Sequence, residues 1–169
     1  HQFGAGIELD IYYAAFRIPD LLYVLFASTL SVYVLIPFVA KHQLSDETKA
    51  RRLLSSVFSL FLVGYTILAL IIFLAAPYLA SKLFPGLVEE SGELVSVLRI
   101  VLLQPLLLGV SSLFGVVTQL SHRFVLYAVS PLLYNLGIIF GIVALYPIFG
   151  LSGLGWGVVI GALGHLLVQ

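Results

Sequence analysis

Long runs without a charged residue constrain this sequence more than any other feature. Four of them are Leu21–Ala40, Leu53–Ser81, Ile100–His122 and Phe124–Pro147, and a fifth begins at Leu151. A bilayer core is about 30 Å thick and needs about 20 apolar residues per helix. Only helices and closed barrels satisfy the backbone in lipid, and barrel strands alternate between apolar and polar residues. These runs do not alternate, so we predict an all-α, polytopic bundle of about five transmembrane helices.

The lengths of the runs set the expected organisation of the chain. All of residues 1–169 form one predicted transmembrane region, and prolines inside the predicted helices indicate kinks. Because the chain begins at His1 and ends inside an apolar run, we expect a fragment truncated at both ends. The predicted helices cover approximately residues 10–40, 53–82, 94–120, 124–146 and 151–169.

Composition excludes several classes of function. Hydrophobic residues make up 61% of the chain and charged residues only 9%, against about 25% charged in a typical soluble domain. The net charge is zero, so no nucleic-acid partner is expected. There is no cysteine, which removes disulfides and thiolate metal sites, and neither a metal-spaced histidine cluster nor a phosphate-binding loop occurs. We therefore expect no enzyme, no metal and no cofactor.

The charges between the apolar runs predict the orientation in the membrane. Loop 41–52 carries four Lys or Arg residues, whereas loop 84–93 carries none and has three acids. Cytoplasmic loops of membrane proteins carry the excess of Lys and Arg. We therefore place loop 41–52 in the cytoplasm and residues 1–9 outside.

Three charged residues fall within the first predicted helix. Asp10 and Arg17 are seven residues apart, within about 20° of each other on a helix, and Arg17 and Asp20 are spaced to pair. Ionisable groups inside a membrane cost at least ~2.5 kcal/mol each near the centre and usually face a cavity or a partner. We expect these residues to line a substrate or proton path. The alternative is that Asp10 lies at the interface and the other two form a neutralised packing pair.

Glycines recur at four-residue spacing in the last two predicted helices. Gly153, Gly157 and Gly161 lie in the last one, and Gly137 and Gly141 repeat the spacing in the one before. Small residues at this spacing let transmembrane helices approach closely. We predict that these five glycines form a tight contact between helices and take no part in chemistry.

Two segments resemble a known family. The first is Phe3-Gly-Ala-Gly6, followed after three residues by Asp10-Ile-Tyr-Tyr-Ala-Ala-Phe-Arg-Ile-Pro-Asp20. The second comprises Arg123-Phe124, Ser130-Pro-Leu-Leu-Tyr-Asn135 and the glycine-rich end of the chain. Both resemble the MurJ (MviN) lipid II flippases of the MOP exporter superfamily, at the second to sixth of about fourteen helices.

The resemblance implies a fold, a substrate and a site. The implied fold has two six-helix lobes around a central cavity, and this chain would belong to the N-terminal lobe. The implied activity is alternating-access flipping of lipid II, an undecaprenyl-pyrophosphate-linked peptidoglycan precursor, across the bacterial cytoplasmic (inner) membrane. Asp10, Arg17 and Asp20 match cavity-lining positions of the family, and Arg17 would attract the pyrophosphate. The expected partners are the lipid-linked glycan and membrane lipids.

Two other functions stay open on the sequence. One is an ion-coupled exporter of a polysaccharide or drug from the same superfamily, with Asp10 or Asp20 as the site of a coupling ion whose identity is unknown. The other is a non-transporting membrane scaffold, for which the glycine contact would matter and the charge of Arg17 would not. The chain also departs from the family at Tyr23 and Val24, where a basic pair is common.

Overall fold

A computed structural model of the chain describes residues 6–29 and 47–169. Helices form throughout these two segments, with no strand among them, so the predicted all-α fold is confirmed. A five-residue π-helical segment, Gly141–Leu145, joins two of the helices. The α-helices are α1 (Ile7–Thr29), α2 (Glu47–Leu83), α3 (Ser91–Val101), α4 (Leu103–Leu120), α5 (Phe124–Phe140), α6 (Tyr146–Phe149) and α7 (Leu151–Val168).

The first two helices begin earlier than hydropathy predicts. Helix α1 starts at Ile7 rather than at residue 10. The rest of this predicted helix, residues 30–40, lies outside the described residues. Helix α2 starts at Glu47, six residues before the prediction, so the end of the predicted loop 41–52 is helical. Lys and Arg favour helices almost as well as Leu does. A hydropathy boundary therefore misplaces the start of a helix whose first turns are charged.

A proline interrupts one of the predicted transmembrane helices, whereas three described helices continue through theirs. Helices α1, α2 and α5 run unbroken through Pro19, Pro77 and Pro131. The single helix predicted over 94–120 is instead broken at Leu102, between α3 and α4. Pro105 explains this break, because proline lacks the N–H that would bond to the carbonyl four residues earlier and its ring crowds that carbonyl.

A neighbouring helix stabilises the break. The hydroxyl of Tyr65, a fully buried residue of α2, donates a hydrogen bond of 2.5 Å to the carbonyl oxygen of Leu102. In a membrane protein, backbone groups at a kink must find partners inside the protein because lipid offers none. Pro105 removes the usual partner of the Val101 carbonyl, and Tyr65 bonds to the next carbonyl along the chain, so it ties α2 to the point where α3 turns into α4.

A second irregularity lies before the last helix. The helix predicted over 124–146 changes to the π-helical segment after Phe140 and ends with α6 at Phe149. Pro147 again lacks the N–H that a regular α-helix would use. Gly150 then separates α6 from α7 with a φ of 59°, a left-handed value that glycine adopts without a steric penalty.

The predicted glycines lie where α5 and α7 approach each other most closely. A methyl group built on Gly137 would lie 2.2 Å from the Cα of Gly161, and one on Gly157 would lie 2.4 Å from the Cα of Gly141. Such distances are far shorter than a van der Waals contact, and the obstructing atoms belong to the backbone. Only glycine fits at these four positions while the two helices keep their separation.

The same contact continues along the π-helical segment. A methyl group on Gly153 would lie 2.4 Å from the carbonyl oxygen of Leu145, and one on Gly161 would lie 2.4 Å from that of Tyr134. Close approach of backbones gains dispersion energy that larger side chains would prevent. The glycines therefore place α7 directly against the backbone of α5 and of the segment that follows it.

Helices α3, α4 and α7 form the centre of the bundle. In the segments Ser91–Leu120 and Leu151–Val168, 50% of the most apolar 18 residues are buried inside the bundle. In Arg51–Leu83 and Phe124–Phe149 the corresponding share is 11%. By length and composition these four segments, found among the described residues, can cross a membrane. Helix α1 packs on α3 and α4 through its small and apolar residues. It is not among these four segments because it carries several charged residues.

Candidate functional site

One side of α1 carries the charged residues of the predicted site. Asp10, Arg17 and Asp20 are all exposed. Tyr13 and Val24 complete the same row, with 60% and 63% of their surfaces exposed. Spacings of three and four residues place these five positions along a single helix face. We call this row of residues the charged face of α1.

The opposite side of α1 is packed into the bundle. Ala15 is fully buried, and Ile11, Ala14 and Leu22 are at most 6% exposed. Two consecutive alanines let α1 lie close to α3 and α4, which are its main neighbours. Because the apolar side is held in this way, the charged face points away from the described bundle.

The charged residues do not neutralise one another. In residues 6–29 and 47–169, no carboxylate forms an ion pair with the Arg17 guanidinium, so the alternative of a neutralised pair with Asp20 is not seen. At a rise of 1.5 Å per residue, Asp10 and Arg17 are separated by about 10 Å along the helix axis. The face thus presents an unpaired cation with an acid on either side along the helix.

Two polar side chains of α4 and α5 bond to each other within the described bundle. The side-chain amide of Gln104, a residue only 6% exposed, donates a hydrogen bond of 3.1 Å to the hydroxyl of Tyr134. The carbonyl oxygen of the Gln104 side chain is buried and has no partner in the part of the chain that the structure describes.

Sequence reasoning did not include Gln104 or Tyr134 in the predicted site. Each is a single polar residue in an apolar helix, and such residues usually serve helix packing. The available signal was weak: Tyr134 lies inside the motif Ser130-Pro-Leu-Leu-Tyr-Asn135, which carried the family resemblance. The two residues are 30 positions apart in the sequence, and only the packing of α4 against α5 brings them together.

A hydrogen bond fixes the first turn of α1. The hydroxyl of Tyr146, at the start of α6, donates a bond of 2.8 Å to the carboxylate of Glu8. Beneath it lies an apolar cavity of about 170 Å³, lined by Leu9, Tyr12 and Ile142 among others. These contacts connect the end of α1 that carries Asp10 to the connection between α5 and α7.

The arrangement suits binding of a charged group, with no metal chemistry indicated. No group of three or more potential metal ligands occurs among the described residues. An exposed guanidinium can donate two parallel hydrogen bonds to a phosphate or carboxylate. With two acids and one arginine the face carries a net negative charge, so an anion would be attracted by the guanidinium of Arg17 itself and not by the face as a whole.

Two comparisons with known proteins bear on this site. A family model described as lipid II flippase MurJ matches residues 1–169. A probable lipid II flippase MurJ from Buchnera aphidicola is 30% identical over 181 aligned residues, which cover 99% of this chain. The same alignment covers 34% of that relative, so the chain spans about a third of its length.

Proposed function

Because the chain belongs to the lipid II flippase MurJ family, we propose that the full-length protein moves lipid II across the bacterial cytoplasmic membrane by alternating access. The chain would form a single membrane region of its N-terminal lobe, with the remaining helices lying outside residues 1–169. The observation that carries the proposal for a site is the charged face of α1. In this proposal the full-length protein is a transporter and not an enzyme.

The cost of charge in lipid supports a cavity beside α1. Arg17 and Asp20 lie in the middle of a 23-residue helix, where a charge exposed to hydrocarbon costs at least ~2.5 kcal/mol. The described helices cover only the opposite side of α1. A water-filled cavity would remove this cost, and the rest of the longer protein would provide its other wall.

The three charged residues would divide the work of holding the substrate. Arg17 would bind the pyrophosphate, since its guanidinium has no carboxylate partner in the described chain and can bind phosphate oxygens in pairs. Asp10 and Asp20, which do not pair with Arg17 in the described chain, would repel the anion and prevent it from binding too tightly to leave.

The proposed orientation follows from the loop charges. Residues 1–9 would lie outside the cytoplasm, and the basic segment 41–52 would lie inside. The three acids of segment 84–93 would then lie outside, together with Glu8 and Tyr146. This arrangement is open to a direct test by labelling single cysteines placed in each segment, because residues 1–169 contain none.

Replacement of Arg17 tests the proposed site. The full-length protein would be expressed in cells depleted of their own lipid II flippase, and outer-leaflet lipid II would be counted. The parent protein should restore externalisation, and Arg17→Ala should abolish it while membrane insertion persists. Arg17→Lys should retain part of the activity because it keeps the charge but loses the paired hydrogen bonds.

A matched control separates the site from general effects of charge. Arg123 is an exposed arginine in the turn between α4 and α5, away from the charged face of α1. Arg123→Ala should leave externalisation unchanged. Normal activity of Arg17→Ala would refute the assignment of Arg17. Failure of a well-inserted parent protein would refute lipid II as the substrate.

A further inference from the structure

A groove lies between α2, α3, α4 and α7, and α1 contributes none of its lining. Its volume is about 580 Å³, within the ~300–1,000 Å³ typical of small-molecule sites. Most of the wall is apolar, including Leu70, Leu103, Leu106 and Trp156. Leu70 is 57% exposed and Trp156 44%, so the groove is open on its outer side.

Arg99 is the charged residue of this groove in the described chain. Its Nε donates a hydrogen bond of 3.1 Å to the carbonyl oxygen of Phe73, and the centre of its guanidinium lies 4.6 Å from the centroid of the Phe73 ring. These contacts hold the guanidinium flat against α2. Within residues 6–29 and 47–169, the terminal Nη groups have no protein acceptor and no carboxylate neutralises the charge.

The depth of Arg99 corresponds to the headgroup side of one leaflet. The Ser91–Leu120 segment has 30 residues, about 45 Å of helix, which exceeds a hydrocarbon core of about 30 Å. If it is centred, about 7 Å projects at each end, and Arg99 lies about 5 Å inside the boundary nearest Ser91. An arginine side chain reaches the interface from there.

Trp156 marks the same level on the neighbouring helix. The hydroxyls of Ser96 and Ser152 lie 3.2 Å apart and align the second turn of α3 with the first turn of α7. One helical turn further on, Trp156 of α7 and Arg99 of α3 both line the groove. Tryptophan is enriched at the level of the lipid headgroups. The groove therefore runs from the interface towards the bilayer centre, with its cation at the interface end.

We propose that this groove binds an anionic phospholipid from the leaflet nearest the α2–α3 connection. The phosphate accepts hydrogen bonds from the Nη groups of Arg99, and an acyl chain lies along the apolar wall formed by Leu70, Leu103 and Leu106. A zwitterionic lipid brings an ammonium group as well as a phosphate, and the groove lining offers it no acid in the described chain. The site therefore distinguishes lipids by their net charge.

This site is separate from the proposed transport site. The groove lies on residues of α2, α3, α4 and α7, whereas the charged face belongs to α1. The assignment does not depend on which lipid-linked glycan the full-length protein moves. Its test measures lipid binding, so its failure would leave the transport proposal untouched.

Lipid binding by the purified full-length protein tests the proposal. Phosphatidylglycerol with a photoreactive acyl chain is the probe, and phosphatidylcholine with the same chain is the comparison. The parent protein should bind phosphatidylglycerol about tenfold more tightly, a difference typical of charge-assisted hydrogen bonds. After illumination, cross-links should map to α2, α3 or α4.

Three variants locate the binding to the groove. Arg99→Gln should remove the preference for phosphatidylglycerol. The control variant Arg123→Gln removes an exposed arginine outside the groove and should preserve that preference. Leu70→Trp should weaken binding of both lipids because the larger side chain fills the groove. It keeps Arg99 and is therefore informative even if Arg99→Gln does not fold.

Several results would overturn the assignment. Equal phosphatidylglycerol binding by the parent, Arg99→Gln and Leu70→Trp proteins would do so. Cross-links confined to other parts of the full-length protein would mean that its own helices cover the groove. Displacement of the probe by an equal concentration of an isoprenoid pyrophosphate would assign the groove to that class of lipid instead.

Discussion

A single methyl group at Gly157 should separate helices α5 and α7. The Cβ of an alanine there would lie 2.4 Å from the Cα of Gly141 and 2.9 Å from its backbone nitrogen, whereas ordinary contacts begin at 3.4 Å. The backbones must therefore move apart by about 1 Å, which loosens the closest contact of the bundle. Overpacking of this kind typically costs ~1–3 kcal/mol.

Gly164 provides a matched control in the same helix. A methyl group on Gly164 would meet the Cβ of Leu133 at 3.6 Å, an ordinary van der Waals distance. Gly164→Ala should be neutral or stabilising, because alanine favours a helix over glycine by up to ~1 kcal/mol in soluble hosts. The two variants add the same atoms to one helix and differ only in what those atoms meet.

Thermal unfolding of the full-length protein in detergent is the assay. We expect Gly157→Ala to unfold at a lower temperature than the parent and Gly164→Ala to unfold at the same or a higher temperature. If both variants unfold together, the predicted glycine contact does not limit stability. The close approach of α5 and α7 would then be a consequence of packing elsewhere.

Two hydrogen bonds give further predictions. Tyr65→Phe removes the donor to the Leu102 carbonyl and should lower the free energy of unfolding by about 1 kcal/mol. Tyr78→Phe, at a residue 65% exposed, should cause no measurable loss. Equal effects of the two variants would contradict the role of Tyr65 at the helix break. In a double-mutant cycle, Tyr146→Phe and Glu8→Gln should show a coupling below ~1 kcal/mol, because their bond is exposed. A larger coupling would indicate that this end of α1 is shielded from water in the full-length protein.

Hydropathy predicted the number and rough position of the helices but not their irregularities. Membrane spans are set by apolar length, which can be read directly from sequence. The break at Leu102 is different, because Pro77 and Pro131 lie in equally apolar helices and do not break them. What a proline does depends on whether neighbours such as Tyr65 stabilise the kinked backbone, and those neighbours are distant in sequence.

The charged face of α1 shows the same limit for the site. Periodicity alone groups Asp10 and Arg17 on one side of the helix. It does not tell whether that side faces the bundle, and the buried Ile11 and Ala15 on the opposite side decide the matter. The spacing of Arg17 and Asp20 permits a contact without requiring one. The arginine of the lipid groove, Arg99, acquires its setting from α2 and α7, which no local pattern relates to α3.

The alternating access proposed above would require each rocking lobe to move as one body. The contact between α5 and α7 would help to meet this requirement, since these two helices touch backbone to backbone at Gly137 and Gly161. Tyr65 likewise ties α2 to the break between α3 and α4. With these helices held together, the charged face of α1 would be carried as part of a stiff unit, and changes in its surroundings would come from motion of the facing lobe. A loosened glycine contact should therefore reduce transport even where Arg17 is intact.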